Sequence, residues 1–273
     1  MDYARWIGTT QDRAEIITQA NAARIAATLN EKPPANGEAL PLLWHWAYFQ
    51  DIASTEALRD DGHALTGDFL PDAGDRTRMW AGGRLSFKTH LLVGALAHRR
   101  STIQDIKEKQ GKTGSLLFVT VRHEYSQNGE LALVEEQDIV YRKVTTPVLG
   151  LGDPLPEAQW SEGIDASPTM LFRYSAVTFN THRIHYDWRY VTEVEGYQGL
   201  VVHGPLTATL VMRAFSKNAP ESVVRTFAFR GVRPLIAGDP LTVGGRVVEN
   251  GKACVWAGNT QDGIGQLGEI GFE

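Results

Sequence analysis

The period of hydrophobic and polar positions changes several times along the chain. In residues 11–30, Ile16, Ile17, Ala20, Ala23 and Ala27 recur at helical spacing, and Thr9-x-x-Asp12 has the form of a capping box. This stretch is predicted as a helix. PLLWHWAYF (41–49) is a continuous apolar and aromatic run that suits a buried helix or strand and is too short to span a membrane. Residues 54–78 are polar, rich in Gly and Asp, and aperiodic, which predicts a loop.

From Trp80 to Arg142 the period drops to two. Leu117, Val119 and Val121 alternate with Phe118, Thr120 and Arg122, and Asn128-Gly129 is a two-residue hairpin signal because both residues tolerate positive φ. LALVEEQDIVYR (131–142) supplies the return strand. Residues 147–168 then carry Pro147, Pro154, Pro156 and Pro168 among three glycines, a composition that blocks regular structure and predicts a linker. The expected division is an N-terminal domain over 1–146, a linker over 147–168 and a C-terminal domain over 169–273.

In the second half LFRYSAVTF (171–179) reads as a strand and GLVVHGPLTATLVMRAF (199–215) as an apolar helix. Residues 223–230, 240–248 and 252–257 read as further strands, with Asn250-Gly251 as a second hairpin. Thr120-Val121 followed by Asn128-Gly129 recurs as Thr242-Val243 followed by Asn250-Gly251 at identical spacing. That echo points to a duplicated β unit, with chance turn chemistry as the competing explanation.

Composition narrows the partners. The net charge is −5, which disfavours nucleic acid and anionic membranes. One cysteine, Cys254, rules out an internal disulfide and a cysteine-based metal site, and fits a cytoplasmic setting. No apolar run reaches the length of a membrane span. Gly263-x-Gly265-x-x-Gly268 matches a dinucleotide string but has no room for a βαβ unit after it. No G-x-S-x-G elbow occurs. His182-x-x-His185-x-Asp187 lacks an evident fourth metal ligand, so no metal is expected.

The chemistry concentrates in FNTHRIHYD (179–187) and VVHGPL (201–206). Asn180 and His185 sit five residues apart across a turn, where their side chains can converge. Asp187 suits an N-cap. Gly204 allows close approach of a ligand, and Pro205 fits the first turn of a helix. The free N–H groups of such a turn hold developing negative charge on an oxygen. An acid/base histidine beside an oxyanion-binding helix end is what thioester enolate chemistry needs. Each residue alone also has a purely structural reading, as a turn, a cap or core.

These residues resemble the hydratase signature of the MaoC-like family, which comprises (R)-specific enoyl-CoA hydratases and 3-hydroxyacyl dehydratases with hot-dog folds. The matching positions are Asn180, His185, Asp187 and Val202-His203-Gly204. FNTHRIHYD, GLVVHGPL and FAFRGVRPL (227–235) resemble the C-terminal half of a subgroup that includes mesaconyl-CoA and itaconyl-CoA hydratases. PLLWHWAYF, MWAGGRLSF (79–87) and VEEQDIVYR (134–142) resemble its N-terminal half.

The resemblance implies an α+β double hot-dog, two curved antiparallel sheets each wrapping a central helix, with the active half C-terminal. It also implies a small acyl-CoA thioester substrate, no cofactor beyond that coenzyme A, reversible syn hydration and a homodimer. The family at large has Asp where this chain has Asn180. The implied roles are therefore acid/base for His185, water positioning for Asn180, and oxyanion donation by a backbone N–H at Gly204 or Leu206.

Asp187, His182, Arg183 and His203 are expected to support the site. Asp187 or His182 would share the proton transfer if two groups are needed. Arg183 is a candidate contact for a second carboxylate on the acyl group. Arg213, Arg230 and Arg233 are candidates for the CoA phosphates, with Lys217, Arg225, His98, Arg99 and Arg100 as further cations. A thioesterase and a non-catalytic acyl-thioester-binding protein remain alternatives, since hot-dog folds host more than one activity.

Overall fold

The computed structural model describes residues 3–66, 68–111, 114–143 and 152–273. Its first strand, β1 (Thr10–Ile16), runs where a helix was expected. The residues alternate in exposure and pair antiparallel with the start of β3 (Leu96–Gly111), Thr10 opposite Thr102 and Ile16 opposite Leu96. Sheet pairing overrides the helical spacing, and α1 (Gln19–Leu29) begins only after Thr18, whose hydroxyl caps Asn21 N–H. The run 41–49 forms one 3₁₀ turn, Trp44–Ala47, with all four residues buried.

β2 (Thr77–Phe87), β4 (Gly114–Gln127) and β5 (Glu130–Arg142) complete the first half. Asn128 (φ 54°) and Gly129 (φ 83°) make the expected hairpin between β4 and β5. Residues 144–151 of the expected linker lie outside the described residues. The rest of it contributes a strand, β6 (Trp160–Ile164), paired with β8 (Leu241–Glu249).

Residues 171–179, expected as a strand, instead belong to α2 (Pro168–Val177). Ser167 caps Met170 N–H and Pro168 takes the first helical position, while Leu171, Tyr174 and Ser175 form one buried stripe. The Ser-Pro pair outweighs the β-branched and aromatic composition. A short α3 (Trp188–Glu193) follows, and then α4 (Gly204–Asn218), whose nine buried residues make it the core of this half. β7 (Val224–Gly231), β9 (Lys252–Asn259) and β10 (Gly263–Phe272) close the chain. The glycine string at 263–268 lies within β10, an antiparallel strand, and opens no nucleotide-binding turn.

The ten strands of the described residues join one antiparallel sheet, in the order β1-β3-β4-β5-β2-β7-β10-β9-β8-β6. The order reads as two five-strand halves related by reversal and joined at β2–β7, Gly82 opposite Arg230. β6 answers β1, and β7 to β10 answer β2 to β5. Each half therefore repeats one topology, but the sequence echo does not mark it. Asn128-Gly129 joins β4 to β5, whereas Asn250-Gly251 joins β8 to β9, the counterparts of β3 and β4. The matched dipeptides are one strand out of register and reflect turn chemistry alone.

Among the described residues, only the second half wraps a long helix. In the first, among the described residues, the place of α4 is held by the single turn at Trp44–Ala47, and α1 packs against α2. This leaves the inner face of β3–β5 uncovered towards the second half and opens a cavity of about 620 Å³ there.

Candidate active site

α2 ends at Val177, and Phe179 adopts a left-handed conformation (φ 50°) that turns the chain back. Asn180 N–H donates to Ser175 O at 2.8 Å, and its Oδ1 accepts from His182 N–H at 3.0 Å. Its carbonyl oxygen is thus engaged locally, and the side-chain NH₂ is the group it offers to a ligand. Asn180 lies after a helix rather than at a strand end, yet it lines the cavity as expected.

A 3₁₀ turn, Arg183–His185, then buries His185 against the same cavity. Its Nδ1 lies 2.7 Å from Val201 O. A carbonyl only accepts, so Nδ1 carries the proton and Nε2 keeps a lone pair. Burial pushes the imidazole down to about 4; the bond to Val201 O opposes this, and His63 adds to it. The ring is therefore neutral near pH 7.

His203 stacks on His185 with ring centroids 3.7 Å apart. It is fully buried and shares a 2.8 Å hydrogen bond with Ser175 Oγ through Nε2. It is also the N-cap residue of α4 but offers no side-chain cap. The caps of α1, α2 and α3 are Thr18, Ser167 and Asp187, each bonded through its side chain. The first turn of α4 thus presents bare N–H groups beside the His185 ring. A Cβ at Gly204 would meet nothing within 4 Å, and Gly204 and Pro205 line the cavity. Leu206 is buried in the core and does not line it, so of the two expected oxyanion donors only Gly204 borders the cavity.

His182 also lines the cavity, buried, with Nε2 lacking a hydrogen-bond partner. Its ring meets His63 at 4.1 Å and His185 edge-on at 5.4 Å. Burial lowers its proton affinity, and His63 and His185 lower it further. Asp61, His63 and His182 bring one ligand atom each within 4.8 Å of one another, the one grouping among the described residues with a geometry that could hold a cation. The spacing His182-x-x-His185-x-Asp187 does not gather as ligands. Asp187 caps Tyr190 N–H at 3.0 Å, pairs with Arg183 at 2.7 Å, and lies outside the cavity lining.

Both Asp187 carboxylate oxygens are thus engaged, one by the helix cap and one by Arg183. Arg183 donates to Asp187 and to Asp60 O and stacks on Tyr190, so it is committed and does not reach an acyl group.

The expected phosphate-binding cations are also largely committed. Arg213 bridges Glu162 (2.6 Å) and Leu29 O (2.9 Å), bolting α4 to β6 and α1. Arg233 clamps Asp262. Lys217 pairs with Glu31, Arg225 with Glu273 and Arg100 with Asp12. Arg230 is exposed on β7. Of that group only Arg99 lines the cavity.

Two sets of cavity residues escaped the sequence reading. His63, which lines the cavity, and Asp61 beside it sit in the aperiodic loop and are brought in by backbone docking: Thr181 Oγ1 donates to Gly62 O and Arg183 N–H to Asp61 O at 2.9 Å. Gly62 (φ 88°) packs so tightly on Thr181 O that a Cβ has no room. A conformationally demanding glycine beside Asp and His was the only available signal. The second set, Ser101, His123, Tyr125 and Gln137, faces inward from β3–β5. Beside it Glu135 is fully buried. It accepts from Trp46 Nε1 (2.8 Å), Gln137 Nε2 (2.9 Å) and Tyr125 OH (3.2 Å), and meets His45 Nε2 at 3.2 Å. Those contacts hold its carboxyl down to about 2 against the opposing effect of burial.

A family model described as hydroxyacyl-thioester dehydratase type 2 matches residues 43–237. The chain is 42% identical over 240 residues to the mesaconyl-C(4)-CoA hydratase of Chloroflexus aurantiacus, covering 86% of this chain and 85% of that one. A solved MaoC-like dehydratase superposes with a TM-score of 0.73 at 14% identity, covering 97% of this chain and 98% of the other. A Mycobacterium tuberculosis protein described as a double hot-dog superposes with a TM-score of 0.56 at 13% identity, covering 98% and 96%. At those identities the structural likenesses concern the fold, an α+β double hot-dog. No helix among the described residues is long and apolar enough to cross a membrane.

Proposed function

The chain belongs to the hydroxyacyl-thioester dehydratase type 2 family, and from that premise we propose that it adds water reversibly across the double bond of a short, C4–C5, 2-enoyl-CoA. One observation carries the assignment of roles: His185, with Nδ1–H fixed on Val201 O, shares a cavity with the uncapped first turn of α4. The thioester oxygen sits against Gly204 N–H, and C3 faces His185. Water is held between the Asn180 NH₂, which donates to its oxygen, and His185 Nε2, which accepts one of its protons.

As the water oxygen bonds to C3, its proton passes to Nε2 and the π electrons move onto the thioester oxygen, stabilised by Gly204 N–H. The enolate then collapses, and the imidazolium returns the proton to C2. One ring thus serves as base and acid on one face of the double bond, which is syn addition. This scheme makes Asn180 sufficient where the wider family has Asp, because Asn180 only has to donate. The neighbouring imidazoles, His182 and His203, have their proton affinity lowered by burial and leave the site without added charge before substrate arrives.

The second half supplies the chemistry and the first half the opposite wall. No cofactor is used beyond the coenzyme A of the substrate. The reading includes a cytoplasmic setting, supported by the single unpaired Cys254, and a homodimer, which sedimentation would test. The direct experiment is loss of enoyl-thioester absorbance on adding purified protein to crotonyl-CoA, with His185→Ala reducing the rate by about 10²- to 10⁴-fold. Near-normal turnover in that variant, or release of free thiol in place of hydration, refutes the assignment.

A further inference from the structure

We propose that Asp61, His63 and His182 form a binding site for one divalent transition-metal ion of the zinc class, set in the cavity wall beside His185. The site goes beyond the hydratase reading, and its binding test does not depend on that reading.

The three side chains come from two segments, and the backbone fixes each of them. Asp61 Oδ1 accepts from His63 N–H at 2.9 Å, and Asp61 Oδ2 lies 3.2 Å from His63 Nδ1. His182 N–H donates to Asn180 Oδ1 at 3.0 Å. Thr181 Oγ1 on Gly62 O, Arg183 N–H on Asp61 O and the close packing of Gly62 on Thr181 O lock the two segments together. One ligand atom from each residue then lies within 4.8 Å of the other two. Zinc holds such ligands at about 2.1 Å, so a tetrahedral site separates them by about 3.4 Å. Asp61 and His63 already have that spacing, and a small rotation of His182 completes the set.

The polar groups point the same way. A proton shared between Asp61 and His63 serves those two residues. It leaves Nε2 of His182, a residue only 8% exposed, without a hydrogen-bond partner. A divalent ion serves all three. A buried imidazole nitrogen with no partner costs free energy that coordination recovers.

The donors also select the metal. Two imidazole nitrogens and one carboxylate oxygen suit Zn²⁺ and its neighbours, whereas Mg²⁺ and Ca²⁺ take oxygen ligands. Arg78 and Arg59 act electrostatically on His63 and oppose any loosely held cation. Only an ion that bonds directly to imidazole stays. Three protein ligands leave one coordination position open, and it faces the cavity that His63 and His182 line. The His182 ring meets His185 edge-on at 5.4 Å. In the hydration scheme His185 passes through an imidazolium, which a neighbouring double charge disfavours. The occupied site therefore acts as a brake on hydration.

The test is calorimetric titration of the tag-free full chain with Zn²⁺, in wild type, Asp61→Asn, His63→Ala and His182→Ala. His90→Ala, at an exposed position, is the control. Wild type and His90→Ala should each bind one Zn²⁺ per chain. Each ligand variant should lose at least about tenfold in affinity. Asp61→Asn is the mildest of them, since Asn keeps an oxygen for His63 N–H. X-ray absorption of the wild-type zinc form needs no variant, and should show two imidazoles with oxygen donors and no sulfur. Crotonyl-CoA hydration should fall over the Zn²⁺ range in which calorimetry shows binding, and a chelator should restore it.

Absence of stoichiometric binding, equal affinity in wild type and all three ligand variants, a sulfur ligand, or fewer than two imidazoles overturns the site. Undiminished hydration by the zinc-loaded protein overturns the brake and leaves the hydratase reading standing. Failure of the metal-free wild type on enoyl thioesters overturns that reading and the brake, while the titration still decides the site.

Discussion

The state of His185 makes a quantitative prediction about pH. An ordinary imidazole titrates near 6.5, whereas burial holds this one at about 4. The difference corresponds to about 3 kcal/mol favouring the neutral ring. The catalytic form in the hydration direction is the neutral one, with Nε2 free to accept. At pH 5.5 about 97% of a ring titrating near 4 is neutral, against about 10% of one titrating near 6.5. The profile of kcat/KM, which reports the free enzyme, should therefore stay level from pH 8 down to about 5 and halve near 4. The two cases differ about tenfold at pH 5.5.

The assay is stopped-flow loss of enoyl absorbance after a jump from pH 7.5, fast enough to precede acid unfolding. The substrate should be the crotonyl thioester of N-acetylcysteamine, which lacks the phosphates that titrate near 6. His63, His182 and His203 are shifted in the same direction and add no limb above the ordinary imidazole range. An acid limb centred near 6.5 would mean that the ring is solvated, and would refute its burial as a neutral group.

Four further outcomes follow from the same geometry. Asn180→Asp should retain activity and move the acid limb of kcat/KM upward, because a carboxylate near His185 favours the imidazolium. An unmoved limb would place the two side chains out of reach of each other. Ser175→Ala strips His203 Nε2 of its partner while Nδ1 has none, and should cost about 1–3 kcal/mol in urea unfolding.

Gly62→Ala forces a side chain onto Thr181 O at positive φ. It should undock the Asp61–His63 loop, at a cost of about 2 kcal/mol or more, with a parallel fall in kcat/KM. Stability should also fall with pH. His123 and His185 titrate at about 4 when folded and near 6.5 when unfolded. The unfolded chain therefore takes up protons that the folded chain refuses as pH drops below 6.5. Each ring should cost about 2 kcal/mol by pH 5, and equal urea midpoints at pH 7.5 and pH 5 would contradict their burial as neutral groups.

Local signals by themselves determined a good deal here. The strand period from Trp80 to Arg142, the Asn128-Gly129 turn and the apolar helix after Gly204 were all legible, because each depends on neighbours within a few residues. Local spacing misled where a distant partner decided the outcome. Residues 10–16 became a strand because β3 lay alongside, and 171–179 became a helix because the Ser167-Pro168 start outweighs a β-rich composition. The repeated dipeptides were turn chemistry, and the true repeat lies in strand order, which no local window contains.

The remaining decisions belonged to the tertiary structure. Asp61 and His63 reach His182 only because backbone bonds dock their loop onto Thr181 and Arg183. Which arginines pair with a carboxylate depends on which acids happen to face each one. Sequence shows that Arg183 and Arg99 are both cations, but only packing shows that Asp187 occupies the first while the second faces the cavity. Charges interact through space, and the distances that govern them are set by chain segments far apart in number.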